Sequence, residues 1–333
     1  MVNLVETTNS YLLKTLPAII PEKIMKVLDI DYTMSLEFSN PVINHYFILR
    51  CVPVSRGSQT VTARLLTIDP SVTLKTNRDI FGNISYRGYI KDAHNKFSFK
   101  ATATVQVNNQ QGSREPCISL YKYPTPLTSV SEQLSNFLIK TFSETEFEQA
   151  LKNKKIQKNQ ILSFSEKLCS DLHEWMEYKP GTTNVRTTAA QAFEQKQGVC
   201  QDFAHIFCSL CRHAGIAARY ICGTSKGEGS THAWAEVFVP DEDISPFCNF
   251  ETPGRWYGFD PTRNKRCNNE YVILAAGRDY NDCQVDRGIF RGNADQTQTV
   301  FVKTTETEVP DYVAPAGIVV PTTPYIPAKP HEQ

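Results

Sequence analysis

The sequence carries no excess of charge of either sign, since its 333 residues include 35 Lys and Arg against 35 Asp and Glu. A chain so balanced has no positive field with which to gather phosphates or anionic lipid, so neither nucleic acid nor a membrane surface is an expected partner. It also lacks any run near the roughly 18 consecutive apolar residues that a membrane-spanning helix needs. Its first residues, MVNLVETTNSYLLKTLPAIIPEK, place no basic segment ahead of an apolar one, so no export signal is expected and a cytoplasmic location follows. There is no internal repeat. No acidic loop of the EF-hand type is present to gate an activity with calcium.

Cysteine is the exception to this plainness, with ten residues. A disulfide framework belongs to short exported chains, so these thiols are expected to be reduced, and most of them, such as Cys51, Cys169 and Cys208, to be small buried apolar residues. Cys208 and Cys211 share a helical segment with His205 and His213, which raises the question of zinc. A second ligand pair of knuckle type is missing nearby, so neither a metal nor a cofactor is expected. The same Cys-x-x-Cys lies inside a helix rather than at an exposed helix start, which argues against thiol redox chemistry.

The length suggests two domains, and the pattern of the chain changes accordingly. Residues 1–30 have broken helical spacing around two prolines and receive no role. Residues 31–115 consist of short runs rich in Thr, Val, Ile, Tyr and Phe (YTMSLEF, HYFILRCVPV, TVTARLLTI, ISYRGYI, KFSFKATATVQV) separated by turn-like SNP, RGS, NRDIFGN and DAHN. In KFSFKATATVQV, Phe97 and Phe99 begin one face of an alternating strand. Five or more strands without an intervening helix point to an antiparallel β-sandwich.

Residues 116–305 differ in kind, opening with a Pro-containing connection. Helical spacing marks Ser131–Phe142, Glu144–Lys155 and Ile161–Met176. A further helix begins at Thr187 or Thr188, whose hydroxyls can cap AAQAFEQK, and stops at Gly198. VCQDFAHIFCSLCRHAG is an amphipathic helix closed by Gly215. AARYICGT, HAWAEVFVP and RWYGFDPT read as strands, giving an α+β organisation. Residues 306–333, rich in Pro and Thr, form a tail.

Chemistry concentrates at three points. Cys200 opens a helix, where free amides and the helix dipole stabilise a thiolate. His232 opens one strand, and Asp260 closes the next before Pro261. If these strands are antiparallel neighbours, the two side chains meet at one sheet edge, and a helix start facing that edge would complete a nucleophile, a base and a group that orients the base.

The segments GVCQDFAH, THAWAEVF and WYGFDPT, about thirty residues apart, resemble the transglutaminase-like core of the papain-like superfamily. GRDYNDCQVDRGIFRG, YPTPLT and YKPGTTNVRTT are similar to bacterial transglutaminase-like proteins with a β-sandwich in front, so the resemblance covers residues 31–303. It implies a papain-like core following the sandwich, a Cys200–His232–Asp260 triad and a thioester intermediate. It does not select among cross-linking acyltransferases, peptidases, and amide or isopeptide hydrolases. A peptide or protein substrate is expected, with hydrolysis preferred, because uncontrolled cross-linking in a cytosol would be hazardous. Glutamine transamidation and a non-catalytic binding module are the alternatives.

For the oxyanion, the backbone amide of Cys200 is one donor, with Gln201, Trp175 and Tyr178 as candidates for a second. Asp202 reads as a helix N-terminal charge. Trp234 and Trp256, on the His and Asp strands, are either core or walls of an acyl-substrate tunnel. The sandwich has no cluster of reactive residues, so covering the cleft, linking and partner docking are equally consistent with it.

Overall fold

A computed structural model describes residues 25–109, 111–153, 156–241 and 252–307. Nearly all of the N-terminal segment and of the Pro-rich tail lies outside them. Among the described residues no helix is long and apolar enough to cross a membrane.

The first strand, β1 (Lys26–Leu49), is 24 residues long and merges two runs that composition had separated at SNP. Instead of turning there, the strand continues through a register shift between Glu37 and Val42. Pro41, which has no N–H to contribute, is exposed at this irregularity. Then follow β2 (Gln59–Asp69), β3 (Lys75–Arg78), β4 (Ile84–Ile90) and β5 (His94–Val107). The first half of β1 pairs with β5, which pairs with β2, and the second half pairs with β4, which pairs with β3. The sheet therefore curls over its own aromatic interior, where Phe47 meets Phe97 at 4.6 Å and Tyr32 meets Phe99 at 5.2 Å.

The helical region begins with α1 (Glu132–Phe142), capped by the Ser131 hydroxyl. The helix expected over 144–155 is shorter: α2 spans Glu148–Lys152. Glu144 adopts a left-handed φ of 59° and the Thr145 hydroxyl binds the Phe142 carbonyl, which spends the next turn on ending α1. After α3 (Ile161–Trp175) comes β6 (Glu177–Tyr178), then α4 (Ala189–Gln195), whose Thr188 cap matches expectation. β7 (Gln197–Gly198) pairs with β6 in parallel and leads directly into α5 (Cys200–His213).

Against α5 stands a sheet formed by β8 (Ala218–Ser225), β9 (His232–Pro240), β10 (Gly254–Asp260), β11 (Lys265–Arg266) and β12 (Tyr271–Gly277), in the order β11-β10-β9-β8-β12. The short α6 (Tyr280–Cys283) follows. Finally β13 (Asp286–Arg291) and β14 (Gln296–Glu306) return to pair with β1. The expected division placed these residues with the helical part; their hydrogen bonds complete the N-terminal sheet.

The two parts are joined by polar groups that are fully spent. The Gln59 amide donates to the carbonyls of Val54 and Ile273 and accepts the Ile273 N–H, while the Asn83 amide treats Ala276 in the same way. Both engage the outer edge of β12 and so satisfy an edge strand buried under the N-terminal sheet. Arg219, 1 % exposed, binds Glu236 and Glu115, and Glu115 also binds Arg56. Replacing Gln59 with Leu strands three backbone groups and is expected to lower stability by about 2–4 kcal/mol in urea unfolding. An unmoved midpoint would show that the amide does not hold this edge.

Candidate active site

Cys200 is the first residue of α5, and its placement follows from local contacts. Asp202 Oδ2 accepts the Val199 N–H at 2.8 Å and the Thr183 hydroxyl at 2.7 Å, which fixes the approach to the helix. Any Cβ at Gly198 would lie 2.7 Å from that carboxylate, so only glycine fits. From Asp202 to Arg212 the helix is wholly buried, leaving its N-terminus as the outlet. Of the nine described cysteines, Cys200 alone is not buried. Burial pushes the Cys208 thiol up to about 11 and that of Cys211 well above its ordinary value, which disarms both as nucleophiles.

The sheet brings its other contributors to one end. Register pairs Gly223 with His232, Ala235 with Phe259 and Ser225 with Tyr271. The end of β8, the start of β9, the end of β10 and the start of β12 therefore share an edge, as antiparallel pairing of the His and Asp strands predicts. His232 Nε2 meets Asp260 Oδ2 at 2.8 Å, and the Cys200 thiol lies within hydrogen-bonding reach of the same ring. With Nε2 committed to Asp260, Nδ1 is the nitrogen available to the thiol.

Asp260 is 0 % exposed, and every lone-pair direction is used. Oδ2 accepts from His232 and from the Tyr271 hydroxyl at 2.8 Å, and Oδ1 from the backbone N–H groups of Thr262 and Arg263. Burial alone would raise this carboxyl, but the His232 and Tyr271 hydrogen bonds and the Arg263 charge hold it below its usual value. Burial likewise opposes charge on His232, yet the hydrogen bonds and charges of Asp260 and Cys200 outweigh it and lift the ring to about 9.

Three residues of this edge escape sequence reasoning: Tyr271, Arg263 and Glu228. Arg263 Nη2 binds Glu228 Oε2 at 2.7 Å, and its Nη1 reaches the hydroxyls of Ser225 and Tyr271. Glu228 Oε1 stands 3.4 Å from His232 Nδ1. The only advance signal was proximity in sequence to His232 and Asp260, which does not reveal direction.

The remaining candidates separate clearly. Gln201 is half-buried in the first turn of α5 beside Cys200. Tyr178 is exposed, pairs through its backbone with Gly198, and feels the charges of Cys200, Glu228 and Arg263, which places it at the mouth. Trp175 instead stacks on Phe193 and packs against Phe137, with the Lys196 ammonium 4.1 Å above its ring. Trp234 and Trp256 are core residues, 1 % and 0 % exposed; the first packs on Tyr271, the second under Arg219. Solvent reaches neither, so the tunnel-wall reading is corrected. His205 accepts the Tyr280 N–H, and His213 contacts the Ser135 hydroxyl.

Comparison with known proteins bears on the family and the fold. Residues 149–261 match the model of the Transglutaminase-like superfamily and residues 28–106 that of the Bacterial transglutaminase-like N-terminal region. An uncharacterized Mycobacterium tuberculosis protein is 25% identical over 289 residues, covering 80% of this chain and 88% of that one. A Mycobacterium leprae relative, also uncharacterized, is 25% identical over 285 residues, or 80% and 94% of the two chains. A crystal structure from Cytophaga hutchinsonii called a "Putative Cysteine Protease" has a TM-score of 0.65 at 22% identity, over 86% of this chain and 92% of that one, and shares the fold. Together the matches support the transglutaminase-like superfamily for the sequence and a shared fold for the structure.

The raised His232 value fixes the sign of a pH effect. Because the folded value of about 9 lies above the ordinary 6.5, protonation stabilises the fold fully below 6.5, and this contribution is lost as pH rises through 9. In Asp260→Asn, burial acts with its main counterweight gone. An NMR titration of His232 is expected to move from about 9 down toward or below 6.5 in that variant; an unchanged titration would contradict the assignment of the cause.

Proposed function

Because the chain belongs to the transglutaminase-like superfamily, we propose that it is a cysteine-dependent amide hydrolase acting on peptide or isopeptide bonds through Cys200, His232 and Asp260. The observation that carries this reading is the meeting of the α5 N-terminus with the His232–Asp260 pair at one end of the sheet.

The Cys200 thiolate, paired with the imidazolium, attacks the carbonyl carbon. The resulting oxyanion is received by the backbone N–H of Cys200, which as the first helical residue has no intrahelical acceptor, and by Gln201 beside it. His232 Nδ1 then gives its proton to the leaving nitrogen, the C–N bond breaks and a thioester remains. In the second half, Nδ1 takes a proton from water as the oxygen attacks, the C–S bond breaks and the acid leaves. Asp260 keeps Nε2–H oriented throughout and stabilises each imidazolium without itself taking the proton.

Hydrolysis is favoured over amine transfer by the openness of the site. Cys200 is only half-buried and Tyr178 at the mouth is 52% exposed, so water has direct access to a thioester there.

Iodoacetamide labelling followed by intact mass from about pH 5 to about pH 8 tests the activated thiol. One site is expected to label rapidly well below the roughly 8.5 of an ordinary thiol, to vanish in Cys200→Ala and to slow in His232→Ala. Turnover of a peptide amide is expected to fall by about 100- to 10,000-fold in His232→Ala. Slow labelling spread over several cysteines would overturn the reading in favour of a binding module.

A further inference from the structure

His232 is flanked by two carboxylates, and the triad uses one. Asp260 occupies Nε2, while Glu228 Oε1 stands 3.4 Å from Nδ1, the nitrogen that must exchange protons with substrate. Much of the local structure is spent on holding this second carboxylate still. Its other oxygen, Oε2, accepts from Arg263 Nη2 at 2.7 Å and from the Ser225 hydroxyl at 2.8 Å. The backbone on either side is tied to β14: Gly227 N–H donates to Thr304 at 3.2 Å, and Gly229 accepts from Val302 at 3.4 Å. Gly227 turns there with φ of +80°, and a Cβ on either glycine would meet nothing, so the loop is held by hydrogen bonds rather than by packing. The Glu228 side chain is 23% exposed, so it borders the open cleft.

An atom about 3 Å from both Nδ1 and Oε1 closes a triangle on the 3.4 Å base. A leaving nitrogen that takes the Nδ1 proton in acylation, or a water that gives one to Nδ1 in deacylation, would sit at such a point. We propose that Glu228 is the leaving-group and acceptor site, taking a hydrogen bond from the substrate's own amide N–H and so selecting scissile bonds whose nitrogen carries a hydrogen. This rests on the function proposed above.

In acylation the Cys200 sulfur bonds to the carbonyl carbon, the C–N bond breaks, and the nitrogen receives the Nδ1 proton. Its original hydrogen stays on it, pointing at Oε1, and a primary amine departs. In deacylation a water gives one hydrogen to Nδ1 and points the other at Oε1 as the C–S bond breaks. Glu228 gains and loses no proton in either half. Bonds to proline, whose nitrogen has no hydrogen, leave Oε1 without a donor and are disfavoured, as is any secondary-amine acceptor.

The test uses p-nitrophenyl acetate, which acylates an activated thiol without needing the natural substrate, and follows the nitrophenol burst and later turnover. Partition of the acyl-enzyme between glycinamide and its N-methyl counterpart sarcosinamide then compares acceptors with two hydrogens and one. The wild type is expected to prefer glycinamide by about tenfold beyond the ratio found with a small-molecule thioester. That excess should disappear in Glu228→Ala and shrink in Glu228→Gln. If Glu228→Ala does not fold by circular dichroism, the glutamine variant carries the comparison. An excess unchanged in the variants, or absent in the wild type, overturns the role of Glu228 while leaving the triad in place. Absence of any burst that depends on Cys200 overturns the triad reading and this proposal with it.

Discussion

A carboxylate removed from water is stable only where donors replace the lost hydration, and the candidate site is organised around that requirement at Asp260. Two of its donors are side chains from other strands, His232 and Tyr271, and two are backbone groups of the turn that follows it. The demand for four donors at one point fixes the end of β10 against β9 and β12. The same bonds lift His232 above its ordinary value, so the local cost of burying a charge is converted into a standing preference for imidazolium. An imidazolium beside the open end of a helix is what a thiolate needs.

The N-terminal sheet takes part in this arrangement, although it carries no reactive cluster of its own. Through Gln59 and Asn83 it completes the hydrogen bonding of β12, the strand that supplies Tyr271. Through β14 it anchors the loop between β8 and β9 on both sides of Glu228. These hydrogen bonds tie the N-terminal sheet to the histidine side of the candidate site.

What was legible in the sequence is what depends on neighbours along the chain. Thr188 announces a helix start because a cap is a contact across three residues, and the stripe of α5 announces its buried face. The Cys200, His232 and Asp260 motifs could be placed together because antiparallel neighbours oppose start and end. Tyr271 was not legible, since it reaches Asp260 from β12, which is separated from β10 by β9 and β8. Arg263 and Glu228 were hidden for a different reason: each lies in a loop, and no local pattern shows that the turn and the loop face each other. The SNP segment looked like a turn because its composition is that of one, yet strand pairing on both sides carried the chain through it. The return of β13 and β14 to β1 is a pairing across more than 200 residues, beyond any local pattern.

The proposed chemistry requires a covalent acyl group on one thiol. Brief exposure to an activated ester, acid quench and peptide mapping by mass spectrometry tests it most directly. Acylation is expected on the peptide containing Cys200, released by neutral hydroxylamine and absent in His232→Ala at the same exposure. An acyl group distributed over lysines and other cysteines, or retained equally without His232, would contradict it.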